Sequence, residues 1–180
     1  MRIIAGEWRR RPLRAPPGRG TRPTSDRARE GLFSMLVSRL GSLEGLRVAD
    51  LFAGSGALGL EALSRGAAHC LFVEKDRAAA DMLRANVGAF GAADRAEIRV
   101  QPAEHAMPPA LPCDLILADP PYSSGLAQAA LDRIGDGGWL ASGGWVGIET
   151  EGESLAFPPT LAPVVERRFG KALVTLLRAA

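Results

Sequence analysis

Asp119-Pro120-Pro121-Tyr122 is a stretch equipped to hold and activate an amino group. It follows the apolar run Asp114-Leu115-Ile116-Leu117-Ala118, which reads as a buried strand, so the four residues form the turn at that strand's carboxyl end. Two prolines stiffen the turn, and Pro120 keeps a carbonyl but has no N–H. The Asp119 carboxylate and the Pro120 carbonyl are then two acceptors held close together. The exocyclic amine of a nucleobase has two donors, and its lone pair is delocalised into the ring. Drawing both N–H bonds into acceptors favours a tetrahedral nitrogen with its lone pair aimed outward. Tyr122 adds a flat ring. Base–aromatic stacking is worth ~1–3 kcal/mol, comparable with the few kcal/mol spent in extruding a base. By itself such a turn is also a plain strand-ending corner with a half-buried tyrosine. The residues that accompany it decide.

The first companion is Asp50-Leu51-Phe52-Ala53-Gly54-Ser55-Gly56-Ala57-Leu58-Gly59. It lies between a strand pattern, Leu46-Arg47-Val48-Ala49, and a helix pattern, Leu60-Glu61-Ala62-Leu63-Ser64-Arg65, that stops at Gly66. Glycines 54, 56 and 59 form a G-x-G-x-x-G in the strand-to-helix context that a nucleotide fingerprint requires. They allow a tight turn and a close approach of ligand to backbone, where the new helix presents N–H groups. Asp50 then selects among ligands. A pyrophosphate at that helix terminus would be repelled by a carboxylate, whereas an amino-acid ammonium would be attracted. S-adenosylmethionine (SAM) has an ammonium, a sulfonium and no phosphate. Glu74 ends the next apolar run, 20 residues after Gly54, the spacing of the acid that takes ribose hydroxyls. SAM is therefore the expected cofactor, ahead of a nicotinamide or flavin dinucleotide and of an empty structural turn. With SAM as donor, the amine held by Asp119 and Pro120 is a methyl acceptor. The methylated nitrogen is strongly acidic, so Asp119 or water suffices to take its proton.

The elements that must position these residues alternate from Leu46 onward. Strands are expected at 46–52, 69–74, 96–100, 114–119 and 145–149, and helices near 57–65, 77–90 and 125–134. The connection at 104–112 has no clear pattern. Strands this apolar want cover on both faces, so the sheet should be largely parallel. Residues 164–169 and 172–177, joined by Gly170-Lys171, read as a closing hairpin. The fold class is thus α/β: a Rossmann-like sheet of seven strands, mostly parallel, with an antiparallel C-terminal hairpin. Before it, Thr24, Ser25 and Asp26 offer helix caps to a segment with Leu32, Phe33, Leu36, Val37 and Leu40 on one stripe, ending at Gly41. Residues 2–13 read as a short hairpin or extended arm, and Pro16-Pro17-Gly18-Arg19-Gly20 as a loop. The expected division is a basic arm, 1–24, on a catalytic domain, 25–180.

Net charge is +2, but residues 1–30 hold nine Arg against three acids while residues 31–180 hold 13 basic and 17 acidic side chains. A basic segment of +6 on a body of −4 suggests contact with a polyanion. Arg is favoured throughout, since Lys75 and Lys171 are the only lysines, but that bias does not explain the clustering. No apolar run is long enough to span a bilayer, and the first residues lack a signal-peptide core, so a cytoplasmic protein is expected. Cys70 and Cys113 start apolar strands and read as reduced packing thiols. His69 and His105 have no cluster at ligand spacing, so no metal is expected.

Taken together, Arg2-Ile3-Ile4-Ala5-Gly6-Glu7-Trp8, Arg22-Pro23-Thr24-Ser25-Asp26-Arg27, Asp50 to Gly56, Phe72-Val73-Glu74 and Asp119 to Tyr122 carry a resemblance across nearly the whole length. The chain resembles class I SAM-dependent methyltransferases, and among them the bacterial 16S rRNA (guanine-N2)-methyltransferases of the RsmD type. The resemblance implies methylation of a guanine exocyclic amine in 16S rRNA, within the small ribosomal subunit or its assembly intermediate, by a monomer. It implies that Asp50 with Gly54, Ser55 and Gly56 holds the methionine part of SAM, that Glu74 takes the ribose, and that Phe52 and Lys75 flank the cofactor. Asp119, Pro120 and Tyr122 would act on the target base, Asp119 also bordering the cofactor. Arg9, Arg10, Arg11, Arg22, Thr24, Arg27, Pro121 and Tyr122 would meet RNA. One departure is visible. Pro102 stands where such proteins commonly place an acid for the adenine amine, so Glu104 or backbone near Ala103 takes that role. The Asp-Pro-Pro-Tyr turn is shared with adenine and cytosine amino-methyltransferases and names the reaction rather than the base. An adenine-N6 enzyme is therefore the alternative, though only about 45 residues precede the first core strand, little for reading bases in a groove. A non-catalytic RNA-binding module is the other, and it predicts decay of one of the two turns. Both are intact.

Overall fold

The structure, a computed structural model, describes residues 1–15, 23–122 and 124–180, with residues 23–25 described by backbone alone. Its elements are α1 (Pro23–Leu40), β1 (Arg47–Asp50), α2 (Ala57–Ser64), β2 (His69–Glu74), α3 (Arg77–Ala89), β3 (Ala96–Val100), β4 (Cys113–Ala118), α4 (Leu126–Gly135), β5 (Leu140–Thr150), β6 (Leu161–Phe169) and β7 (Ala172–Ala179). All seven strands form one sheet in the order β3-β2-β1-β4-β5-β7-β6. The first five are parallel, and β7 runs antiparallel between β5 and β6. Order reverses between β1 and β4, so the carboxyl ends of those two strands flank the crevice where such sheets take ligands.

Apolar side chains cover both faces, as the near-continuous hydrophobic strands require. Val48, Leu115, Leu117, Val174 and Leu176 point to the face of α1, α2 and α3. Ala49, Ile116, Val146 and Ile148 point to that of α4 and Trp139. On α1 the buried stripe is Ala28, Leu32, Phe33, Met35 and Leu36, while Val37 is exposed. The expected stripe holds at Leu32, Phe33 and Leu36, with Leu40 partly buried on the same core, and Ala28 and Met35 join it in place of Val37. Gly31 packs on Phe169, where a Cβ would come within 2.1 Å of its ring. β5 begins five residues earlier than the apolar pattern indicated. Ser142-Gly143-Gly144 looks like a turn in sequence but is a bulge within the strand, with the β4–β5 register shifting between Cys113 and Leu115. The unclear connection at 104–112 contributes a short 3-10 turn, Ala103–His105.

Residues 1–15 fold back onto the body. Ile3, Trp8 and Leu13 are buried in the α1–α2–α3 core, and Arg2 bridges to Pro12. The backbone N–H groups of Ile4 and Ala5 donate to the buried Glu61 carboxylate at 2.7 and 3.0 Å, and that of Trp8 donates to Ser64 Oγ at 2.9 Å. The expected loop at 16–20 lies outside the described residues. Among the described residues no helix is long and apolar enough to cross a membrane.

Candidate active site

β1 delivers Asp50 to the carboxyl edge, buried to 1% exposure. Its Oδ2 accepts the N–H of Gly59 at 2.9 Å, while its Oδ1 is buried without a protein donor. Burial pushes the Asp50 carboxyl up to about 7; the Gly59 N–H opposes the shift and the charge of Glu74 adds to it. A carboxylate in that state is short of a cationic donor. The turn that follows is built on left-handed glycines. Gly54 has φ +53 beside open space, and Gly56, the residue before α2, has φ +90. Gly59 serves close packing instead, since a Cβ there would lie 2.2 Å from the Phe72 ring and 2.7 Å from Cys70 Sγ. Much of the turn's own hydrogen-bonding capacity is used internally. Gly54 N–H donates to Glu74 Oε2 at 2.7 Å, Gly56 N–H to the Ala53 carbonyl, and the Ser55 carbonyl accepts from Asn86.

Glu74, half-buried at the end of β2, also accepts the N–H of Asp76 at 2.8 Å. Each of its oxygens can accept a further hydrogen bond. Gln101 N–H donates to the Glu74 carbonyl, which brings Pro102, buried Ala103 and half-buried Glu104 to the same edge. Phe52 is half-buried there and Lys75 exposed.

β4 pairs with β1 so that Leu117 lies opposite Asp50, which places Asp119 just beyond Asp50 on the neighbouring strand. Asp119 and Pro121 are exposed, Pro120 is buried, and Tyr122 is 37% exposed. The Tyr122 hydroxyl donates to Oε1 of Glu149 at 2.7 Å. Glu149, 7% exposed, went unnoticed in the sequence because it ends an apolar strand like many others. The β4–β5 register, Ala118 opposite Ile148, carries one residue further to set Glu149 beside Asp119. Desolvation raises the Tyr122 hydroxyl, and its bond to Glu149 raises it further. Burial also raises the Glu149 carboxyl, against the lowering effect of the same bond. Tyr122 therefore stays protonated and is anchored by its hydroxyl, with the ring at the cleft mouth.

Asp50, Asp119 and Glu149 thus stand in one row, on the α1 side of the sheet, with Glu74 one strand away from Asp50. Donors and cations are what such a row attracts. The residues present fit SAM: an unsatisfied buried carboxylate oxygen, room beside Gly54, and an acid on the strand that should meet the ribose.

The arginines are not all brought there. Arg9 and Arg10 are exposed on the turn that docks on the end of α2, and Arg11 lies 4.5 Å over the Phe90 ring at the end of α3. Those helix ends lead into β2 and β3, so this turn sits at the sheet edge opposite Asp119. Arg29 is buried, donating to the Arg2 carbonyl at 2.7 Å and to Asp26, and joins the terminal segment to α1. Arg27 is exposed near the start of α1, at the active edge. Arg22 and the side chain of Thr24 lie outside the described residues.

A family model described as "Conserved hypothetical protein 95" matches residues 1–178. The ribosomal RNA small subunit methyltransferase D of Escherichia coli K12 is 38% identical over 154 residues, 86% of this chain and 76% of that protein. The protein of the same name from Haemophilus influenzae is 36% identical over 163 residues, 88% of this chain and 83% of that one. The solved structure of yhhF from Escherichia coli matches with a TM-score of 0.86 at 35% identity, covering 99% of this chain and 97% of that chain.

Proposed function

The chain belongs to the family described as conserved hypothetical protein 95, and on that footing we propose that it transfers a methyl group from SAM to the exocyclic N2 amine of a guanine in 16S rRNA. The observation that carries the reading is the row Asp50–Asp119–Glu149. It sets a site for a cation-bearing cofactor and a grip for an amine on adjacent strands of one sheet edge. The small ribosomal subunit or its assembly intermediate is the natural substrate, the protein acts as a cytoplasmic monomer, and no metal takes part.

When bound, SAM supplies an electrophilic methyl group on sulfur. The protein's own residues do the rest. Asp50 faces the ammonium, the Gly54–Gly56 turn accommodates the methionine chain, and Glu74 accepts ribose hydroxyls. Asp119 and the Pro120 carbonyl accept the two N–H bonds of the guanine amine and turn its lone pair toward the cofactor pocket. Tyr122, fixed through Glu149, supports the extruded base. The surplus proton on the substituted nitrogen passes to Asp119 or to water.

Labelled SAM incubated with naked 16S rRNA, immature small subunits or genomic DNA, followed by nucleoside analysis, tests the reading. N2-methylguanosine from an RNA substrate is expected. N6-methyladenine, or label in DNA alone, would overturn it. Asp119→Ala should abolish transfer while leaving SAM affinity within about tenfold; activity near wild type would sink the acceptor argument.

A further inference from the structure

The inner cleft is acidic, so a nucleotide entering it needs its phosphates received elsewhere. Arg9 and Arg10 sit at the opposite sheet edge and cannot do this for the target nucleotide. The register of the last three strands brings other cations close. Glu149 on β5 pairs with Val174 on β7, and Val174 pairs with Arg167 on β6. Directly opposed residues share a face, so Arg167 extends the row of Asp119 and Glu149, two strand spacings or about 10 Å beyond Glu149.

There the tip of the β6–β7 hairpin meets α1, leaving a groove of about 560 Å³ lined by Arg27, Glu30, Ser34, Arg167, Arg168 and Phe169 among others. Phe169 packs on Gly31 of α1, and that close approach holds the tip against the helix. Two arginines, Arg27 and Arg167, face one acid, Glu30, in this lining. The side chain of Arg168 alternates to the other face, where its guanidinium lies beside Gly152 and donates to the Lys171 carbonyl. Among the described residues no ion pair engages Arg27, Arg167 or Arg168. Glu166 is bonded by Thr175 Oγ1 at 3.0 Å, and Thr175 pairs with Ile148, whose side chain packs on the opposite face. Lys171 adds a further cation at the tip. The charge therefore changes sign along the edge, acidic from Asp50 to Glu149 and basic from Arg167 outward. A nucleotide has the matching polarity, with amine donors at one end and phosphate at the other.

We propose that the groove between α1 and the β6–β7 tip, with Arg27 and Arg167, binds the phosphodiester backbone of the RNA strand flanking the extruded guanine. This rests on the reading of the cleft as an rRNA methylation site. Commitment to RNA, rather than to an acidic protein, follows from the groove's continuity with a row built for a base amine.

The test is the double variant Arg27→Ala/Arg167→Ala beside Arg27→Lys/Arg167→Lys, assayed on whichever of naked 16S rRNA or immature subunits the wild type methylates. Binding to both RNA forms is measured across salt concentrations. The alanine pair should raise the RNA KM about tenfold or more and reduce the slope of log affinity against log salt by about 1 to 2, one lost phosphate contact per arginine. The lysine pair should recover most of both effects, and SAM affinity should stay within twofold for each variant. RNA KM and salt slope unchanged in the alanine pair would overturn the groove. Loss confined to subunits, with naked-RNA affinity and its slope unchanged, would assign it to a ribosomal protein and overturn it equally. Wild-type transfer in the same assay keeps the two proposals apart. Its absence sinks the methylation reading and this one with it, whereas transfer with an unaffected alanine pair sinks the groove alone.

Discussion

Asp50 is a carboxyl placed where water cannot reach it, with one oxygen bonded to Gly59 and the other lacking a protein partner. Its pKa of about 7 lies above the ordinary range, so between about pH 4 and 7 the folded protein binds a proton that the unfolded chain has released. Stability of the ligand-free protein should therefore fall as pH rises through that window, and Asp50→Asn should flatten the dependence in denaturant titrations at several pH values. Pairing with an ammonium reverses the preference. SAM affinity should weaken by up to about tenfold per pH unit below pH 7, and in Asp50→Asn it should be weaker and flat from pH 5.5 to 7. The Tyr122–Glu149 couple makes a separate prediction. If the ring supports the base, Tyr122→Ala should raise the RNA KM by roughly ten- to hundredfold, the equivalent of ~1–3 kcal/mol of stacking. Tyr122→Phe keeps the ring and should stay within a few-fold. Glu149→Ala keeps the ring but releases its anchor and should fall between them; a Glu149→Ala variant with wild-type KM and kcat would remove its positioning role.

At the scale of elements, the strand–turn–helix unit β1–α2 does two jobs with three glycines. Gly54 and Gly56 take left-handed conformations that shape the turn, and Gly59 lets α2 lie flat on β2. Gly59→Ala tests the second job apart from the first. Its methyl group would meet Phe72 and Cys70, both fully buried, and overpacking of this kind costs about 1–3 kcal/mol. A lower melting temperature is expected, together with weaker SAM binding, since displacement of α2 moves the Gly59 N–H away from Asp50. Unchanged stability would mean that β2 yields readily and that the glycine is dispensable. The closing hairpin shows the same economy. β7 completes the sheet beside β5, while the β6 tip, held by Phe169 on Gly31, is left at the active edge.

Across the whole molecule the sequence's +6 segment divides into groups with different tasks. Arg29 is spent on the interior, Arg11 rests on Phe90, and Arg9 and Arg10 are exposed at the far edge. The positive charge nearest the cleft comes partly from the other end of the chain, through Arg167. Arg9→Ala/Arg10→Ala should therefore weaken rRNA or subunit binding in a salt-dependent way, lowering the log–log slope by about 1 to 2, without changing kcat at saturating substrate. A fall in kcat would mean that the two edges are coupled. Arg11 is left out of that variant because its removal would disturb the packing of Trp8 on Phe90, whose ring centroids lie 5.0 Å apart.

Several features were legible in the linear chain because they depend on short-range order. Apolar runs separated by turns gave the alternation of strands and helices; glycine spacing after Asp50 pointed to the turn proposed for the cofactor, and Asp119-Pro120-Pro121-Tyr122 to the one proposed for the amine. The bulge at Ser142-Gly143-Gly144 and the packing of Gly31 on Phe169 were hidden, since each involves a neighbour distant in sequence. Local periodicity and backbone stereochemistry thus determined the fold class and the two turns. Only the tertiary structure decided which strands became neighbours, and so that Glu149 stands beside Asp119, that Asp50 keeps an unanswered oxygen, and that the first arginines face away while Arg167 faces in. Those outcomes follow from strand register and burial, which bring together residues whose separation along the chain carries no trace of the contact.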